Sequence, residues 1–153
     1  DSTEKGKNFT KLIAYLFSLV SNFEVVRVDA KTIGNEHDYD VLVRNLITND
    51  PILEDFGSYI VAECKFIEDE KAGIDVLTKL LYKIKYHDCK SGILFSKKGV
   101  VKDDLNISIK KIFNRDSIVI VVVDIEEIIE VIDGKRSFLE VLLSAYERVR
   151  FEV

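Results

Sequence analysis

Apolar residues recur at three- and four-residue spacing from Asn8 to Ser21, through Phe9, Leu12, Ile13, Leu16, Phe17 and Val20, which predicts an amphipathic helix. At Phe23 the pattern changes to short β-branched runs. "FEVVRV" (Phe23 to Val28), "YDVLVRN" (Tyr39 to Asn45) and Ser58 to Phe66 read as three successive strands. Between the last two, Leu46 to Gly57 carries Asn, Asp, Pro and Gly and reads as a connecting loop. A long helix follows from about Lys71 to His87, its stripe formed by Ile74, Leu77, Leu81 and Ile84. "SGILFS" (Ser91 to Ser96) is a fourth strand. Asp103 to Phe113 is helical, with Leu105, Ile109, Ile112 and Phe113 inward. "SIVIVVV", apolar at every position after its serine, fits a fifth strand covered on both faces. A short helix capped by Asp124 and ending at Gly134 precedes a last one over Ser137 to Arg150, with Phe138, Val141, Leu142 and Ala145 inward.

The order α-β-β-β-α-β-α-β-α-α predicts an α/β domain. Three strands in direct succession imply an antiparallel meander, the strands after crossover helices a parallel portion, and the whole a mixed sheet with helices on both faces.

The charges inside "IVAECKF", Ile60 to Phe66, disturb this picture. Burying charge is costly, yet alternation puts Glu63 and Lys65 on one face with Tyr59 and Val61. On the preceding strand Asp40 shares a face with Leu42 and Arg44. If the two strands form a hairpin in which Asn45 pairs near Ser58, counting back sets Asp40 opposite Glu63. Two carboxylates so placed repel, unless one is protonated or a cation neutralises both. Mg²⁺ suits them, with the carbonyl of Cys64 as a further ligand and Mn²⁺ able to substitute. The ammonium of Lys65 is then placed to orient a water and stabilise a phosphoryl transition state, so phosphodiester hydrolysis is the reaction that fits. The plainer alternative is a structural Glu–Lys pair at a solvated strand end.

These motifs carry a resemblance. "DYDVLVRN" followed by "IVAECKF", a long helix and "SGILFSKKGV" resembles the PD-(D/E)XK nuclease superfamily, most nearly its Mrr-like restriction-endonuclease branch, and the likeness covers most of the chain. It implies a restriction-endonuclease-like fold and a Mg²⁺-dependent DNA endonuclease core. Asp40 and Glu63 would be metal ligands, and Lys65 the catalytic lysine. Many relatives carry a glutamate on the first helix after an aromatic residue. Here Phe9 is followed by Thr10 and Lys11, and Glu4 would serve only if the helix began earlier than the pattern predicts.

Other polar residues have two readings. Lys97, Lys98 and Lys102, in a loop and helix start, could meet DNA phosphates, and Lys79, Lys83 and Lys85 could extend that patch; a solvated helix face is the alternative. Glu36, His37 and Asp38 precede the Asp40 strand as a polar loop within reach of the site. His87 and Cys89 read as capping or packing residues, and Arg44 as lying at the far end of the hairpin.

Composition sets the setting. The 153 residues fit one domain with a sizeable core, 1–153, and a chain opening at Asp1 without methionine reads as a module cut from a longer one. The longest aliphatic run, Ile118 to Val123, is too short to span a bilayer, and the polar start lacks a signal-peptide core, so no membrane and a cytoplasmic location are expected. Two distant cysteines read as reduced thiols. A net charge of −5 is unusual for a DNA binder. It suits a module that borrows DNA affinity from a fused DNA-binding or motor domain, or from homodimerisation, in a restriction or defence protein. It equally suits a nuclease-like domain that no longer cuts and serves DNA binding or assembly. A Holliday-junction resolvase, which shares the fold, would call for a strongly basic surface.

Overall fold

A computed structural model describes residues 4–30, 38–65, 73–96 and 102–151. Along the chain run α1 (Glu4–Ser18), β1 (Phe23–Ala30), β2 (Tyr39–Asn45), α2 (Pro51–Asp55), β3 (Tyr59–Lys65), α3 (Ile74–Tyr86), β4 (Ser91–Ser96), α4 (Lys102–Asp116), β5 (Val119–Asp124), α5 (Ile125–Ile132) and α6 (Phe138–Phe151). The five strands form one sheet in sequential order, β1-β2-β3-β4-β5. The first three pair antiparallel, and β3, β4 and β5 run parallel. The expected α/β class, mixed sheet and meander are all present.

Helices cover both faces. Val41, Val43, Ile60, Ala62, Cys64, Ile93 and Phe95 face a core shared with α1 and α6. Its centre is aromatic, with Phe17 meeting Phe138 edge-on at 5.0 Å and Phe95 edge-on at 5.9 Å. Val61, Leu94 and Ile120 point the other way, onto Leu77, Leu80 and Ile84 of α3 and Leu105, Ile109 and Ile112 of α4. Two successive crossovers of one hand, stepping in one direction along the sheet, put α3 and α4 on the same face.

Three elements differ from the sequence reading. The segment read as a loop contains α2, because the Asp50 carboxylate accepts from the Ile52 and Leu53 amides and Pro51 opens the helix, where its missing N–H costs nothing. Leu53 and Phe56 are buried, and that burial holds the short helix in place. On α3, Leu80 replaces Leu81 at the centre of the stripe, and Ile74 is 45% exposed in the first turn. Finally, α1 begins at Glu4, a full turn before Asn8.

Gly92 sets how closely α3 lies on the sheet. A β-carbon there would come within 2.5 Å of Ile84 Cδ1 and 3.1 Å of Leu80 Cδ1. Only a residue without a side chain lets these two rest on β4. Lys83, between them in sequence, is thereby brought down against the sheet.

Candidate active site

The hairpin register follows the expected count. Asn45 N–H donates to Ser58 O at 2.8 Å, and pairing runs from Arg44↔Tyr59 to Val41↔Ala62. One more step would set Asp40 across from Glu63. There β2 leaves the ladder. Tyr39 packs on the α3 side, its ring edge-on to His87 at 5.3 Å. Asp40 turns its carboxylate onto the neighbouring strand, where Oδ2 accepts from Cys64 N–H at 2.7 Å. An amide that earlier along the hairpin would meet a carbonyl therefore meets an anion, a stronger hydrogen bond.

Glu63 is 5% exposed. Its Oε1 lies 2.6 Å from Lys83 Nζ on α3, with the two side chains 6% and 18% exposed. Despite this ion pair the Glu63 carboxyl is held above its ordinary value. Burial is the largest cause and the charge of Asp40 the next, and together they outweigh Lys83 and the smaller influence of Lys65. The charge of Asp40 thus reaches Glu63. Lys65 ends β3 half-buried beside Ser96 of β4, itself buried. Glu63 and Lys65 stand at the carboxyl end of the parallel strands, where open α/β sheets hold their ligands.

On the opposite face of β3, burial pushes the Cys64 thiol well above the ordinary range, with Asp40 and Glu63 adding to the shift and a hydrogen bond with Thr10 opposing it. Thr10 also donates to the Gly6 carbonyl at 3.1 Å. The position after Phe9 is therefore spent on packing α1 against β3. Both cysteines are free, Cys64 buried and Cys89 half-buried.

The remaining candidates are dispersed. Lys79 is exposed on α3 and Lys102 is the first residue of α4; Lys97 and Lys98, like Glu36 and His37, lie outside the described residues. Lys85 pairs with Asp116 at 3.3 Å. Arg44 pairs with Glu24 across the first hairpin at 2.6 Å and stands over the Tyr59 ring, at the end of the hairpin away from Asp40. His87 caps α3, and Cys89 packs on the α3–α4 core. The sequence reading missed the part Lys83 plays at Glu63. The available signal was its position at the border of the α3 stripe, next to Ile84, on a helix crossing over the strand with the buried acid.

The charges of Asp40, Lys83 and Lys65 thus all reach Glu63. No group of three or more His, Cys, Asp and Glu side chains set to hold a metal occurs among the described residues. Two carboxylates and a backbone carbonyl would be oxygen donors of the kind Mg²⁺ takes, an ion that keeps several waters and needs no full protein cage. No helix among the described residues is long and apolar enough to cross a membrane. No protein-family model matches the chain, and no curated protein matches it significantly.

Proposed function

We propose that this chain is a divalent-metal-dependent endonuclease domain hydrolysing DNA phosphodiester bonds, a module of a restriction or defence protein that takes part of its DNA affinity from a fused domain or a second copy. One observation carries the reading. Asp40 meets the β3 backbone beside Glu63, and Glu63, buried and already paired with Lys83, still has its carboxyl raised partly by the charge of Asp40. That is a pair of acids held close in a shielded place, which a divalent cation can bridge.

Asp40, Glu63 and the Cys64 carbonyl would hold Mg²⁺, or Mn²⁺ in its place. When bound, the metal supplies Lewis acidity and positive charge for the phosphate under attack. The protein's own groups do the rest. The Cys64 amide fixes the Asp40 carboxylate, and without metal Lys83 holds Glu63. Lys65, one same-face position beyond Glu63, donates to the attacking water and to the phosphate oxygen on which charge builds. The DNA backbone would be met by Lys79, Lys97, Lys98 and Lys102.

The test is nicking of supercoiled plasmid in Mg²⁺ by wild type, Lys65→Ala and Asp40→Asn. Nicking by wild type alone supports the reading, whereas equal nicking by all three assigns the activity to a contaminant and overturns it. A second reading, a nuclease-like module that binds without cutting, draws on the Lys83–Glu63 pair, a ready-made neutralisation of a would-be ligand, and on the net charge of −5. DNA retention by a wild type that never nicks, in Mg²⁺ or Mn²⁺, would select it.

A further inference from the structure

The Lys83–Glu63 pair differs from the surface ion pairs of this chain. It joins a residue on the crossover helix to one on the central strand, 20 positions apart, and both side chains are largely out of water. The close approach that Gly92 allows brings Lys83 there. Lys65, two residues from Glu63 in sequence, influences its charge less than Lys83 does.

Resting on the metal-site reading above, we infer that Lys83 is the resident counter-ion of this site, and that a divalent cation binding Asp40 and Glu63 must first displace it. An ammonium at 2.6 Å from Oε1 repels a divalent cation approaching the same carboxylate, so the two compete for it. Lysine is suited to leaving, being a compact charge on a flexible stem, where arginine would hold a carboxylate with a rigid fork. Its side chain keeps a path to solvent, 18% exposed against 6% for Glu63, so the released ammonium stays close to the same carboxylate. There it faces whatever anion the metal attracts. The pair thus occupies the buried acid without metal and sets a threshold concentration for metal loading.

The experiment is calorimetric titration of the full chain with Mn²⁺ alone, for wild type, Lys83→Met and Lys111→Met, the last being an exposed lysine of α4. Removing a displaced cation should tighten Mn²⁺ binding by about tenfold for Lys83→Met, and by less than about twofold for Lys111→Met. Wild type that binds Mn²⁺ as tightly as Lys83→Met, or more tightly, overturns the inference and leaves the metal site standing. Absence of Mn²⁺ binding in both wild type and Lys83→Met overturns the site and the inference together. If Lys83→Met does not fold, the side-chain ¹⁵Nζ resonance of Lys83 in wild type decides the matter. It should move on saturation with Mg²⁺, and an unmoved resonance with Mg²⁺ bound overturns displacement.

Discussion

Asp40 Oδ2 accepts a 2.7 Å hydrogen bond from the backbone N–H of Cys64, so that a side chain completes the hairpin where its paired ladder has ended. The same bond anchors a candidate metal ligand and closes the β2–β3 edge, which makes its two roles separable by mutation. Asp40→Ala strands a buried amide and should cost about 1–3 kcal/mol of unfolding free energy. Asp40→Asn keeps an acceptor oxygen and should cost less than half as much while still removing the charge. Urea denaturation of the two variants measures this, and equal losses would contradict the acceptor role.

Gly92 makes a second prediction. Its missing β-carbon is the space Ile84 and Leu80 occupy, so Gly92→Ala must push α3 off β4. Overpacking of this kind costs about 1–3 kcal/mol. Because Lys83 rides on that helix, the variant should also show a shifted Lys83 ¹⁵Nζ resonance; a variant as stable as wild type would refute the close-packing argument.

Glu63 should leave a signature in the pH dependence of stability. A folded-state pKa raised above 4.5, the ordinary glutamate value, means that the native state holds the proton more tightly than the unfolded chain. Stability therefore falls as pH rises from about 4.5 through the native value, and the loss persists above it. Glu63→Gln removes this fall. The unfolding free energy of wild type minus that of Glu63→Gln should decline with pH across the window and then level off. A difference independent of pH would show that burial and Asp40 do not outweigh Lys83.

The thiols should separate by reactivity. Cys64 is buried with its pKa pushed well up, whereas Cys89 is half-buried with a more modest rise caused by burial and Asp88. In native protein Cys89 should label with iodoacetamide first, slowly, and Cys64 only in denaturant, as read by mass spectrometry. Native labelling of Cys64 at the rate of Cys89 would mean the α1–β3 packing opens readily.

The meander, the crossovers and the two-faced burial of β5 were legible because period-two and period-3.6 patterns report directly on which face is covered. The hairpin register followed as well, since a one-residue slip would have sent Val41 and Val43 to the wrong side of the sheet. Less visible was α2, whose Asn-Asp-Pro start is a loop signal and a capping signal at once. The cause of the α3 rotation also lay elsewhere in the chain. Leu80 is central because Gly92, twelve residues on, leaves room for it, and no local periodicity carries that information. At the site, Asp40, Glu63 and Lys65 stood out as charges in β-branched surroundings, but Lys83 looked like any helix-surface lysine. Its partner is set by the tertiary approach of a helix to a strand, which a one-dimensional pattern cannot express.

The central claim, that Asp40 and Glu63 together make a divalent-cation site, is tested most directly by titrating wild type and Asp40→Asn with Mn²⁺ at neutral pH in a calorimeter. The account predicts one ion per chain for wild type and a loss of at least about tenfold in affinity for Asp40→Asn, the order expected when one of two carboxylate charges beside a cation is removed. Wild type that takes up no Mn²⁺, or Asp40→Asn that binds it as tightly as wild type, would contradict it.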